Sequence, residues 1–195
     1  MQTDPTLSRE KCVRCGTIDF ILPLFNIVDF VPVGANGYTI HEKRIDGKLH
    51  CEDGPAVIIT GYSNNIVEMS WWVNGALHNE NNWAKITISD HTITLAKYVN
   101  GSLSSNTSPA LVTIDKSGRV VASTWFKDDI EHTSKPEVPS FVSYYPSGAP
   151  HMKRYMTDGI LYRDPRKGAA CVVWSEAGEI EYMTYSKLKP VLPTT

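Results

Sequence analysis

The sequence predicts an all-β fold: an antiparallel meander or solenoid of about five β-hairpin repeats of roughly 28 residues, with an irregular N-terminal cap. Two observations lead to this prediction. Turn-forming residue pairs recur at steps of 28, 26, 28 and 30 residues, and the residues between them alternate and are rich in β-branched and aromatic types. The pairs are Asp46-Gly47, Asn74-Gly75, Asn100-Gly101, Asp128-Asp129 and Asp158-Gly159.

Each repeat is expected to hold a second turn between these pairs. Asn-Gly and Asp-Gly supply the positive φ angles of a type I′ turn, so each such pair predicts a tight antiparallel hairpin. From about Gly37 onward the chain should form roughly eight to twelve strands and no helix. The second turns are placed at Asn64-Asn65, Asp90-His91, Gly118, Gly148 and Gly178, the three glycines being 30 residues apart.

The first two repeats share a core sequence. Asp46-Gly-Lys-Leu-His-Cys-Glu-Asp-Gly-Pro-Ala-Val-Ile and Val73-Asn-Gly-Ala-Leu-His-Asn-Glu resemble the MORN-like repeats with an NGxLHRxDGPA core that occur in many bacterial, bacteriophage and large-virus proteins. The resemblance covers about residues 36 to 185. It implies a sheet or solenoid of β-hairpins used for interaction, with no catalytic residue. Departures from the pattern are Cys51 and Asn79 in place of Arg, Asp128-Asp129 without Gly, and Leu161-Tyr162 in place of Leu-His.

Three histidines, His50, His78 and His132, hold equivalent positions, three residues after the second turn residue. In successive repeats such positions lie about two strands apart, so their Cα atoms should be roughly 9 to 10 Å from one another. A zinc ion needs its ligand atoms at about 2 Å from a common centre, which a row of this pitch does not readily supply. The spacing therefore favours imidazoles that hydrogen-bond the backbone of the neighbouring turn, with metal binding as the alternative.

Aromatic residues precede most of the turns by two or three positions and offer a second candidate site. Adjacent pairs such as Trp71-Trp72 and Trp125-Phe126 must point to opposite faces of a strand, so one member enters the core and the other faces outward. Outward aromatics would form a row that binds a protein partner, and a strip that stacks sugars or bases is the other interpretation. The predicted partner-binding residues are Trp72, Tyr98, Phe126, Tyr155 and Trp174.

Residues 1–36 lie outside the repeat frame and are predicted to cap the repeat domain, which comprises residues 37–195. Within this cap, Cys12, Cys15 and the glycine that follows resemble half of a zinc knuckle. A structural zinc ion needs four ligands, so if zinc is bound the predicted set is Cys12 and Cys15 with His50, Cys51 or His41. A redox dithiol and ordinary reduced cysteines are the alternatives, and no other cofactor is predicted.

Composition argues against several classes of protein. The chain has 195 residues with 19 Lys and Arg against 21 Asp and Glu, a net charge of −2, which disfavours dedicated nucleic-acid binding and attachment to anionic membranes. The longest apolar stretch, Phe20–Val33, is short and broken by prolines, so no membrane span is predicted. With no secretory leader and no disulfide-type cysteine pattern, the expected location is the cytoplasm.

The sequence holds no nucleotide-binding, hydrolase or metalloprotease motif, so an enzyme is not predicted. The expected function is that of a non-enzymatic repeat protein that binds a protein partner. Because MORN-like repeats of this kind are frequent in phage proteins, the resemblance implies a phage-encoded factor that binds or inhibits a host protein. The alternative is a virion or assembly component that forms homo-oligomers by self-association through its sheet edges.

Overall fold

The computed structural model describes residues 37–61 and 66–186, and within these ranges the fold is all-β, as predicted. Eleven strands form one antiparallel sheet in which chain order and spatial order coincide, and the sheet does not close into a barrel. The only helical segment in the described ranges is a single 3₁₀ turn, Pro165–Lys167. The strands, numbered β1 to β11, are Thr39–Glu42, Val57–Thr60, Ile66–Ser70, Lys85–Ile88, Thr92–Ala96, Leu111–Asp115, Val120–Thr124, Phe141–Tyr144, Pro150–Arg154, Cys171–Trp174 and Ile180–Thr184.

One end of the sheet is built from the second set of turns. Gly118, Gly148 and Gly178 all have φ between 80° and 87°, as predicted for turn glycines. Each amide donates to the carbonyl three residues earlier, and a register shift follows in the adjoining strand pair, the pattern of a tight turn with a β-bulge. The predicted turn at Asn64-Asn65 lies outside the described residues.

At the other end, the described residues form five short hairpins that connect successive sheet strands, and we number them hairpin 1 to hairpin 5. The predicted type I′ turns lie at their tips: Asn74 and Gly75, for example, have φ of 52° and 85°. In hairpin 4 two aspartates, Asp128 and Asp129, adopt the same left-handed conformation, with φ of 50° and 66°. The short strands pair as Arg44–Ile45 with Lys48–Leu49, Trp72–Val73 with Ala76–Leu77, Tyr98–Val99 with Ser102–Leu103, Phe126–Lys127 with Ile130–Glu131, and Met156–Thr157 with Ile160–Leu161.

Backbone hydrogen bonds join each hairpin to the next. The Gly75 amide donates to the Leu49 carbonyl at 2.9 Å, and the Cys51 amide donates to the Trp72 carbonyl at 3.1 Å. The same two bonds recur between hairpins 2 and 3, 3 and 4, and 4 and 5. The five hairpins therefore form a continuous ribbon along one end of the sheet, which we call the hairpin ribbon.

The core lies on one face of the sheet. Met69, Ile86, Leu95 and Val112 are cross-strand neighbours on β3 to β6, each exposes 4% or less of its surface, and Trp83 packs with them. Where the sheet meets the ribbon, every repeat has a small residue exposed by 1% or less, because a larger side chain would separate the two parts. These small residues are Ala56, Ala84, Ala110, Ser140 and Ala170.

Among the described residues, none of the helical structure has the length and the apolar composition that a membrane-spanning helix needs.

Candidate functional site

The three equivalent histidines fasten neighbouring hairpins together. In each case the imidazole Nδ1 accepts a hydrogen bond from the backbone amide of the first turn residue in the next hairpin: His50 from Asn74 at 3.2 Å, His78 from Asn100 at 3.1 Å, and His132 from Asp158 at 3.1 Å. Their side chains are only 11% to 17% exposed. This is the backbone contact that the sequence favoured, and it gives the recurring Leu-His step a structural role.

Two repeats lack a histidine at this position, and the structure gives a reason for each. After hairpin 3 the position is Ser104, and the link is made in the opposite direction, because Oδ1 of Asp129 accepts from the Leu103 amide at 2.7 Å. That bond also explains why the turn of hairpin 4 carries Asp129 instead of glycine. After hairpin 5 the position is Tyr162. The described residues contain no further hairpin whose backbone amide could donate a hydrogen bond to an imidazole at this position.

His50 and Cys51, two members of the predicted zinc set, line an open depression of about 500 Å³ together with Glu52, His78 and Glu80. The Nδ1 atom of His50 is occupied by the Asn74 amide, and the Cys51 thiol lies 3.7 Å from the Lys43 ammonium. In the described ranges, no three His, Cys, Asp or Glu side chains are grouped so as to hold a metal ion. Cys12 and Cys15 lie outside these ranges, as does the predicted N-terminal cap, so the zinc site stays a prediction.

The predicted aromatic row divides into two environments. Trp72, Tyr98 and Phe126 hold equivalent places on one face of the ribbon and are half-buried, and Trp72 Nε1 donates to the Ser70 hydroxyl at 2.8 Å. Tyr155 is only 7% exposed and lies 4.0 Å below the Arg163 guanidinium. Trp174 ends β10, half-buried.

Tyr155 therefore belongs to the interior and offers little surface to a partner. It lies three residues before its turn, the position of Trp71 and Trp125, whereas the other ribbon aromatics lie two residues before theirs. Tyr155 lies between β9 and the short strand Met156–Thr157, where the sheet meets the ribbon, and its amide donates to the Ala170 carbonyl at 2.8 Å.

The opposite face of the ribbon carries a row of exposed aliphatic side chains. In each hairpin the residue pair that flanks the turn contains an aliphatic residue, and pairing across the turn places both members on the face away from Trp72. Four of these side chains are 43% to 56% exposed, and the fifth, Val73, is half-buried. We call the set the aliphatic row: Ile45, Val73, Val99, Ile130 and Ile160.

Successive members of the aliphatic row are about two strand spacings apart, so five hairpins extend the row over roughly 40 Å. This row is not apparent from the sequence, because a single apolar residue beside a turn is indistinguishable from the end of an ordinary strand. A usable signal was present: an aliphatic residue recurs directly before or directly after every one of the five turn pairs.

The most strongly perturbed acids in the described residues stabilise turns. Hydrogen bonds from the Ser117 hydroxyl and from Arg119 hold the pKa of Asp115 far below its ordinary value. The side chain and amide of Arg166 lower the pKa of Asp164 to about 2, and this carboxylate accepts from the Arg166 amide at 3.0 Å. Burial raises the pKa of the Cys171 thiol and so disfavours the reactive thiolate. Each of these shifts therefore has a cause in the local structure.

No protein-family model matches the chain, and the search of curated proteins gives no match.

Proposed function

We propose that this protein is a MORN-like repeat protein without enzymatic activity, which binds a protein partner through the aliphatic row of its hairpin ribbon. The observation that carries the proposal is the recurrence of a large exposed aliphatic side chain, 43% to 56% accessible, on four of the five described hairpins. Scattered exposed aliphatics are ordinary, but a regular line of them is typical of interaction surfaces.

The geometry of the motif supports the MORN-like assignment. The Asn-Gly pair forms the turn, the histidine accepts from the next turn, and the alanine fits between sheet and ribbon, so each recurring residue has a structural reason. This agrees with a family whose repeated positions build a scaffold. The resemblance further suggests a phage-encoded factor that acts on a host protein in the cytoplasm.

A protein surface fits the aliphatic row better than a nucleic acid or a sugar does. The net charge of −2 provides no attraction for phosphates, and the aromatic rings that would stack on bases or sugars are turned to the other face and half-buried. Covering a half-exposed aliphatic side chain contributes about 1 kcal/mol, so the four most exposed members supply roughly 4 kcal/mol.

The test compares three forms of the tagged protein in quantitative affinity capture from a host lysate. The double variant V99K/I160K adds two charges of +1 to the aliphatic row. The control, D90K, makes the same change in net charge at an exposed turn between β4 and β5, at the other end of the strands. Circular dichroism establishes that all three forms are folded.

We expect a protein that is enriched by the wild type and by D90K and is lost with V99K/I160K. Capture that survives in V99K/I160K, or the absence of any enriched protein with the folded wild type, would overturn the proposal.

A further inference from the structure

One repeat carries three polar residues at positions where the other described repeats carry small or apolar ones. Glu131 in hairpin 4 replaces a leucine, Ser140 at the junction of sheet and ribbon replaces an alanine, and Arg154 at the end of β9 replaces a residue no larger than threonine. The equivalent residues are Leu49, Leu77, Leu103 and Leu161 for the first, Ala56, Ala84, Ala110 and Ala170 for the second, and Ser70, Ala96, Thr124 and Thr184 for the third. We call Glu131, Ser140 and Arg154 the polar cluster.

The polar cluster is bonded internally and is largely buried. The Ser140 hydroxyl, which belongs to a residue with 0% exposure, donates to Glu131 Oε1 at 2.7 Å and accepts from the Met156 amide at 2.9 Å. Arg154 donates to both carboxylate oxygens of Glu131, from Nε at 3.1 Å and from Nη2 at 2.5 Å. Because the Glu131 side chain is only 14% exposed, removal of Arg154 would leave a buried charge without this counter-ion.

Stability alone does not account for these charges. The leucines, alanines and other small residues of the remaining described repeats show that uncharged side chains fill the same space. Taking an ion pair out of water costs about as much as the attraction of its charges returns, so an apolar replacement of matching volume is often equally stable or more stable. Buried polar pairs fix the register of coiled coils, however, because a shifted arrangement leaves them unpaired.

The segment that contains Ser140 and Arg154 has room to shift along the sheet. It consists of β8, β9 and hairpin 5, and it lies between the two longest connections that follow the described hairpins. In hairpins 1 to 3 the small junction residue lies ten positions after the first turn residue, whereas Ser140 and Ala170 lie twelve positions after theirs. A shift of two residues, roughly 6.6 Å, keeps every side chain on its own face, so the alternation of the strands does not oppose it.

We propose that the polar cluster is a register lock, which holds β8, β9 and hairpin 5 in one position against hairpin 4. Ser140 and Arg154 belong to the segment that can shift, and Glu131 does not. A two-residue shift would move the guanidinium and the hydroxyl away from the Glu131 carboxylate, and the unpaired buried charge would destabilise the shifted arrangement. The lock also keeps Ile160 in line with Ile130, which holds whether or not the aliphatic row binds a partner.

The first experiment measures thermal unfolding of the full chain. In E131L/S140A/R154T the three residues become those of the preceding repeat, Leu103, Ala110 and Thr124. We expect this triple variant to have a Tm at or above that of the wild type. R154T should lower the Tm by roughly 5–10 °C, and E131L should lower it less, because the Arg154 side chain is 35% exposed and can turn its charge to water.

The second experiment records the backbone amide NMR resonances, which report the register directly. We expect one set for the wild type and for S140A, the control that keeps the ion pair, and a second set from β8, β9 and hairpin 5 in the triple variant. Hydrogen exchange of the triple variant should be faster in this segment and unchanged in β3 to β6. A triple variant with a lower Tm than the wild type, an R154T variant as stable as the wild type, or a triple variant with one set of resonances and wild-type exchange would overturn the proposal.

Discussion

Replacing Gly159 by alanine tests how closely successive hairpins stack. Gly47 and Gly159 occupy the same position in hairpins 1 and 5, with φ of +74° and +75°. Alanine at either position must adopt the left-handed conformation, which costs about 1–2 kcal/mol. A Cβ atom on Gly47 would meet nothing within 4 Å, whereas one on Gly159 would lie 3.2 Å from Cγ2 of Ile130 in hairpin 4.

The expected result is that G159A lowers the free energy of unfolding by more than G47A does, the difference being roughly 0.5–1 kcal/mol of overpacking. In the I130A background this difference should disappear, because the Cγ2 atom that Cβ would meet is gone. Urea titrations measure the free energy of unfolding of the wild type, of G47A, G159A and I130A, and of the double variants G47A/I130A and G159A/I130A. Equal losses for G47A and G159A, or an excess that persists with I130A, would show that the hairpins do not stack as described.

Two further predictions concern side chains that fix the turns. Because the His78 imidazole accepts the Asn100 amide, H78A should lower the free energy of unfolding by about 1 kcal/mol, while S104A at the equivalent position changes it by less than about 0.5 kcal/mol; equal losses in urea titrations would contradict the link. The Asp115 carboxylate has a pKa depressed chiefly by the Ser117 hydroxyl, so its contribution is complete above its ordinary value of 3.8 and is lost as pH falls through the lower folded value. The Tm difference between wild type and D115N should therefore be largest near neutral pH and shrink below about pH 4, and a difference that grows on acidification would refute this.

The parts of the fold that the sequence predicted depend on local backbone chemistry. Asn-Gly and Asp-Gly have few conformations that fit between alternating residues, so the turns at Asn74 and Asp158 could be placed without any knowledge of tertiary contacts. The regular spacing then ordered the strands into a meander, and the histidine contact followed from the pitch of the repeats. The turns needed only near neighbours in the chain, whereas the strand order and the histidine contact needed the repeat period of 26 to 30 residues.

The parts that were missed depend on the direction of side chains in very short strands. The sequence prediction grouped all aromatic residues that lie two or three positions before a turn. It therefore placed Tyr155, which is buried, in the same row as Tyr98, which lies half-buried on the ribbon face. Ile130 and Ile160 were also not recognised as surface residues, because the alternation of inward and outward side chains cannot be detected in a strand of two residues.

We propose that the aliphatic row is the surface that binds a protein partner, and this proposal can be tested directly. Its most direct test is photocrosslinking in host cells, with a photoreactive amino acid placed at Val99, at Ile160 or, as a control, at Asp90. We predict that Val99 and Ile160 crosslink to the same host protein and that Asp90 does not. Crosslinking from Asp90 alone, or none from either position of the aliphatic row, would contradict the account.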